Sequence, residues 1–133
     1  MLIQVALAGS PPVATVPGGY ADTLPPDQIT AAAPMAWAYR DIYSEPEYVL
    51  GGQTGWTEWH VQIDCFGYAA ANALELRNAI YNVLRGGYRG TLPDPDATYV
   101  FQIVGLRKIP SAFLTADRTW VRKLECIVQY QQV

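Results

Sequence analysis

The chain is poor in the residues that build chemistry. Its 133 residues include one histidine, His60, and two cysteines, Cys65 and Cys126. With no CxxC pair and no second histidine, the usual tetrahedral zinc sets cannot be assembled within one chain, so neither a metal nor a cofactor is expected. Both cysteines sit in apolar strand patterns and read as small buried hydrophobes, with a disulfide as the other reading. Charge is also scarce, at 16% of residues, against the roughly 25% typical of soluble domains. The nine Lys and Arg are scattered among twelve acids, for a net charge of −3. That leaves no basic stripe to neutralise phosphates, which argues against nucleic-acid binding as the main task while permitting DNA to pass by unbound. No apolar run approaches the roughly 18 residues that would cross a bilayer, so no membrane partner is expected. The apolar start Met1–Ala8 has no Lys or Arg ahead of it and runs into Gly9-Ser10-Pro11-Pro12. It is too short and too neutral for a signal peptide, and cytoplasmic production is the expectation.

What remains is a globular composition. Half the residues are apolar, with nine Tyr and four Trp. The length suits a single domain over residues 1–133 with a core of its own. Aromatic enrichment with only two lysines, Lys108 and Lys123, is an interface signature, and an aromatic-rich core accounts for it equally well.

Periodicity lays out the elements. Met1–Ala8 can form about two helical turns, closed by Gly9 and the proline pair. Val13–Pro34 reads as surface loop with a short strand near Tyr20 and a turn at Pro25-Pro26-Asp27. Met35, Trp37 and Tyr39 alternate with Ala36, Ala38 and Arg40, a strand running on to Tyr43, followed by a glycine-bearing loop through Gly55. In Trp56–Phe66, Thr57, Trp59, Val61, Ile63 and Cys65 form the core face, and Glu58, His60, Gln62 and Asp64 face water or a partner. These two strands pair naturally as an antiparallel hairpin. Ala69–Arg85 is the main helix: Ala73, Leu76, Ile80, Val83 and Leu84 make its apolar stripe, Glu75, Arg77, Asn78 and Asn82 its polar side, and Gly86-Gly87 its stop. After a loop through Ala97, Tyr99–Lys108 reads as a central strand and Thr119–Gln131 as an alternating one, joined across Pro110–Arg118. The expected fold is α+β: a mainly antiparallel four-stranded sheet with one long helix packed on one face and a short N-terminal helix.

An enzyme needs a constellation, and none emerges. His60 shares a strand face with Glu58 and Asp64, a carboxylate–histidine arrangement suited to general-base work. No Ser or Cys nucleophile lies near it in sequence and Cys65 points the other way, so the plain reading is the polar side of a half-buried sheet. Asp94-Pro95-Asp96 offers too few oxygens for a metal loop and reads as a turn. The glycines at 51, 52 and 55 do not spell a phosphate loop. Gly86-Gly87-Tyr88-Arg89-Gly90 reads as a helix stop carrying an exposed Tyr/Arg pair. A small ligand-binding module would need polar groups converging in an apolar cavity, which the inward faces do not supply.

The order of features resembles the tail-completion, or tail-terminator, family of long-tailed bacteriophages and phage-like particles. The likeness lies in the short apolar N-terminal helix, the Pro/Gly-rich segment ending at Pro34, and the aromatic strand Pro34–Tyr39. It continues through the alternation of Val61–Gly67 (VQIDCFG), the alanine-rich helix ending in Leu84–Gly87 (LRGG), and two closing strands, and so covers nearly the whole chain. The resemblance implies a non-enzymatic virion protein, assembled in the host cytoplasm, that forms a ring, usually hexameric. Such a ring caps the head-proximal end of the tail, sits on the major tail tube protein and meets the head-completion, or stopper, protein, while DNA passes through the lumen without specific binding. A head-to-tail ring uses two different complementary patches per subunit. The interface candidates are Glu45, Glu47 and Tyr48 in the 44–55 loop, and Arg85, Tyr88 and Arg89 after the helix. The alternative is a head-completion, adaptor or minor tail protein of the neck; a small α+β enzyme or ligand-binding module is a more distant one.

Overall fold

The computed structural model describes residues 20–21, 29–85, 89–93, 98–115 and 118–132. The expected N-terminal helix, the turns at Pro25–Asp27 and Asp94–Asp96, and the Gly86-Gly87 stop lie outside the described residues. The architecture is α+β, as the periodicity implies: an antiparallel sheet of four main strands with one 15-residue helix packed against it.

The main strands are β2 (Met35–Val49), β3 (Gly52–Gly67), β5 (Thr98–Leu114) and β6 (Trp120–Gln132). Two short strands flank them, β1 (Tyr20–Ala21) and β4 (Arg89–Pro93), giving the order β1-β2-β3-β6-β5-β4. The pairing of β1 with β2 is parallel and all other pairings are antiparallel. β2 and β3 form the expected hairpin, with Trp37 opposite Cys65 and Tyr39 opposite Ile63.

Three boundaries differ from expectation. The 44–55 segment is not a loop: β2 runs to Val49 and β3 starts at Gly52, so only Leu50 and Gly51 turn the chain. The mixture of Glu, Pro and Gly suppresses the strand pattern there, but the ladder continues through it, with a register shift between Pro46 and Tyr48. β4 lies in the stretch expected to be loop, and β5 extends through Pro110 to Leu114 by way of a second irregularity at 109–112. The turn into β6 is closed by the Thr115 amide on the Thr119 carbonyl (2.9 Å), with Arg118 in the left-handed region (φ 59°).

The helix α1 (Ala70–Leu84) is rich in Ala and Leu, lacks Gly and Pro, and so favours helix locally. The Asn72 side chain accepts a hydrogen bond from the Ala69 amide (3.0 Å), satisfying a group at the helix entry. Ala73, Leu76, Ile80 and Leu84 are buried against Trp37, Val61, Ile63, Cys65, Phe101, Ile103, Leu124, Cys126 and Val128. Each large side chain in this layer contributes roughly 1.5–3 kcal/mol by leaving water. Arg77, expected on the polar side of the helix, is buried as well. Its spacing from Ala73 and Ile80 places it within the stripe, and the long side chain carries its guanidinium to the bulge, where Nη1 donates to the Ile109 carbonyl at 3.3 Å.

The corner between β3 and α1 is tight. A Cβ on Gly67 would stand 2.3 Å from the Ala73 amide nitrogen and 2.8 Å from the Ala69 carbonyl oxygen. Both are backbone atoms that cannot yield cheaply. Gly67→Ala is therefore expected to lower unfolding free energy by roughly 1–3 kcal/mol in urea melts. Gly51→Ala, at a position with nothing within 4 Å, should be close to neutral in the same measurement.

Candidate functional site

Two regions carry the sequence-derived candidates: the helix-free face of the sheet and the end of the molecule reached by the β2–β3 hairpin. On the helix-free face, even-numbered residues of β3 meet odd-numbered residues of β6 in cross-strand rows. Asp64 stands beside Lys123, and Gln62 beside Glu125, which in turn neighbours Arg107 on β5. Asp64 accepts a hydrogen bond from Gln62 Nε2 at 2.8 Å and lies 3.6 Å from both Arg40 Nη2 and Lys123 Nζ. Arg107 Nη2 donates to Glu125 Oε2, while Gln102 Nε2 donates to Gln129 Oε1 at 3.1 Å.

His60 and Asp64 were expected to face water or a partner, yet both are buried (8% and 5% exposed). A buried polar group persists where it is hydrogen-bonded, and both are held in the network. His60 Nε2 lies 2.6 Å from Glu58 Oε1, and Nδ1 lies 3.9 Å from Glu125 Oε1. A carboxylate–histidine pair therefore exists, but its surroundings are cross-strand partners. Cys65 opens onto the core on the other face, as the alternation predicts. Among the described residues no group of three or more His, Cys, Asp or Glu could hold a metal ion, and no helix is long and apolar enough to cross a membrane.

Both cysteines are free and buried. Cys65 stands opposite Arg122 and Cys126 opposite Val61, so they are offset by four ladder positions, about 13 Å, and cannot bridge. Burial pushes the Cys126 thiol up to about 12. Burial, reinforced by the Asp64 carboxylate, pushes Cys65 up further, against a smaller opposing effect of Arg77. Burial and then the neighbouring Arg122 lower Arg77 from the usual guanidinium value. Arg122 Nη1 donates to the Pro110 carbonyl at 3.4 Å, so two guanidiniums serve adjacent carbonyls of the β5 bulge.

The interface candidates separate into two flanks. Glu45, Glu47 and Tyr48 lie on the distal half of β2, in strand, leading to a fully exposed Leu50 at the hairpin tip. Arg85 caps the helix C-terminus, its amide donating to the Tyr81 carbonyl at 2.9 Å, and lines a shallow cleft with Tyr81, Val104 and Leu106. Arg89 opens β4 opposite Gln102, and Tyr88 lies outside the described residues. The strand order puts the first group on the β2 side and the second on the β5–β4 side, toward the same end of the strands but three or more strands apart. They do not form one patch.

Sequence reasoning missed the exposed apolar residues Ile42, Val104, Phe113 and Leu114 along the two flanks. Val104 sits at a register shift, where period-two reading fails; Phe113 and Leu114 were assigned to a loop. No protein-family model matches this chain, and no curated protein matches it.

Removing the Asp64 carboxylate leaves Arg40 and Lys123 without their shared partner. Asp64→Ala is expected to cost roughly 2 kcal/mol in urea melts, whereas the loss for Arg40→Ala, at a half-exposed partner, should be under about 1 kcal/mol. The thiols give a pH test. Their folded values are raised, so the contribution is fully present below the ordinary thiol value of 9.0 and is lost as pH climbs toward 12. Native protein at pH 8 should react negligibly with a thiol reagent and release two equivalents on unfolding, with stability declining above pH 9.

Proposed function

We propose that this chain is a non-enzymatic structural subunit of a long-tailed bacteriophage or phage-like particle, a tail terminator. It forms a ring, usually of six copies in the family it resembles, that closes the head-proximal end of the tail tube and meets the head-completion protein. The observation that carries the reading is the separation of two unlike flanks on one small sheet. One holds Asp41, Glu45 and Glu47, and the other holds Arg85, Arg107 and Lys108. A head-to-tail ring requires two dissimilar, complementary patches on each subunit. Two strands, a helix and two closing strands, the order on which the resemblance rests, recur among the main elements, and a lightly charged chain suits a protein largely covered by neighbours. Net acidity suits a conduit through which DNA slides.

The histidine's setting favours a structural part for it: Glu58 and Glu125, the carboxylates beside it, belong to the polar face of the sheet. Head-completion or adaptor proteins of the neck are the reading against which the test discriminates. Particles lacking this protein, viewed by negative-stain electron microscopy beside the intact control, are expected to show overlong or unjoined tails next to full heads. Tails of normal length beside leaking, tailless heads would move the protein to the head-completion side. Normal joined particles would remove the structural reading.

A further inference from the structure

Among the described residues the sheet is open along a different stretch on each side. β1 pairs with β2 only at Ala38 and Tyr39, so among the described residues β2 has no outer neighbour from Arg40 to Val49. β4 covers β5 only from Thr98 to Gln102, so among the described residues Ile103 to Leu114 have no outer neighbour. Asp41, Ile42 and Ser44 are exposed along the first stretch, and Val104, Arg107 and Lys108 along the second. An open edge is a row of backbone donors and acceptors waiting for a strand.

Three properties make these two edges fit each other. First, direction: the four main strands alternate, so β2 and β5 run oppositely, and two copies placed side by side in the same orientation meet in an antiparallel junction like those inside each sheet. Second, length and position: residues 41–49 and residues 103–114 are stretches of similar length, each bounded by a short strand at one end and a turn at the other. Glu45, the middle of one, stands opposite Glu58; Lys108, the middle of the other, stands opposite Leu124 and so in line with Ile63. The two midpoints are thus displaced by about 16 Å along β3 across four strand spacings of about 4.8 Å, a tilt of about 40°. That lies within the roughly 35–45° at which sheets close on themselves. Third, charge: the β2 stretch holds Asp41, Glu45 and Glu47, and its one cation, Arg40, is engaged with Asp64. The β5 stretch holds Arg107, paired with Glu125, and Lys108, over the Tyr81 ring, and no acid, so the two stretches differ in the net sign of their charge. Pro46 and Pro110 each withdraw a donor, which restricts the registers and discourages indiscriminate pairing.

We propose that β5 of one copy of this chain pairs edge to edge with the distal half of β2 of the next copy, residues 41–49 against 103–114, making one continuous antiparallel sheet across subunits. The proposal rests on the ring-forming reading above and names the surfaces that make the ring. The partner is a second copy of this chain; an added strand from a different protein is the competing occupant.

The test uses two full-length variants, Glu45→Lys/Glu47→Lys and Arg107→Glu/Lys108→Glu, with sedimentation velocity on each alone and on a 1:1 mixture, and circular dichroism to verify folding. Each variant alone sets like charges against each other at every junction and should self-associate at least about tenfold more weakly than the natural chain. In the mixture every junction is complementary, and oligomers should return. Variants that assemble alone as the natural chain does would overturn the edge pairing and leave the ring reading intact. Folded variants that stay monomeric in the mixture would also overturn it. A natural chain that stays monomeric at every concentration and on added tail tubes would overturn both. Association only in the presence of another protein's strand would assign the edge to that partner and reject the proposal.

Discussion

The burial of one helical stripe on the two central strands governs the rest of the structure. Ala73, Leu76, Ile80 and Leu84 lie over Val61, Ile63, Leu124, Cys126 and Val128, all of them buried. That contact decides which face of the sheet is apolar and therefore fixes the register of every strand, since a slip of one residue would turn the apolar set outward. The glycine corner at 67 holds the stripe in place by letting the helix begin directly against the strand it covers. Even the buried Arg77 belongs to this contact: its apolar stem lies in the helix–sheet layer while its head reaches the bulged carbonyl of Ile109.

The opposite face is organised by charge. Arg40, Asp64, Lys123, Glu125 and Arg107 alternate in sign across neighbouring strands, so each carboxylate meets a cation. The charges of this face are paired within the subunit, with Arg40 and Arg107 still half or more exposed. The unspent capacity lies in the plane of the sheet, at its edges and hairpin ends, where exposed apolar residues such as Leu50, Val104 and Leu114 collect. The proposed pairing of copies would use that sideways capacity.

The layer that period reveals was legible from the sequence. The alternation in Trp56–Phe66 and Thr119–Gln131 and the three- and four-residue spacing in Ala69–Arg85 identify the buried faces of β3, β6 and α1, because burial on one side imposes those periods. Chemistry misleads where it is read ahead of packing: charge puts Arg77 on the polar side of the helix, and alternation puts His60 and Asp64 toward water or a partner, yet all three are buried. What was least legible lies where the ladder is irregular. Glu45-Pro46-Glu47 and Pro110-Ser111 look like loops because proline and short polar residues weaken strand propensity, yet both are bulged continuations of long strands. The 44–55 segment, which carries three of the interface candidates, thus reads as a loop and is strand except at Leu50 and Gly51.

The sheet is made of two local hairpins, β2–β3 and β5–β6, joined by the single seam at which Thr57–Gly67 meets Tyr130–Trp120. Each hairpin can form from neighbouring sequence, but the seam pairs residues more than 50 positions apart and encloses the helix. Closing it costs chain entropy before it returns any contact, which makes it the step expected to be slowest in folding. Until then β3 and β6 are themselves edges, alternating and apolar on one side, and each is as able to accept a strand from another molecule as from its own. The strands that hold the finished sheet together are, while the chain is still folding, the ones most open to a wrong partner.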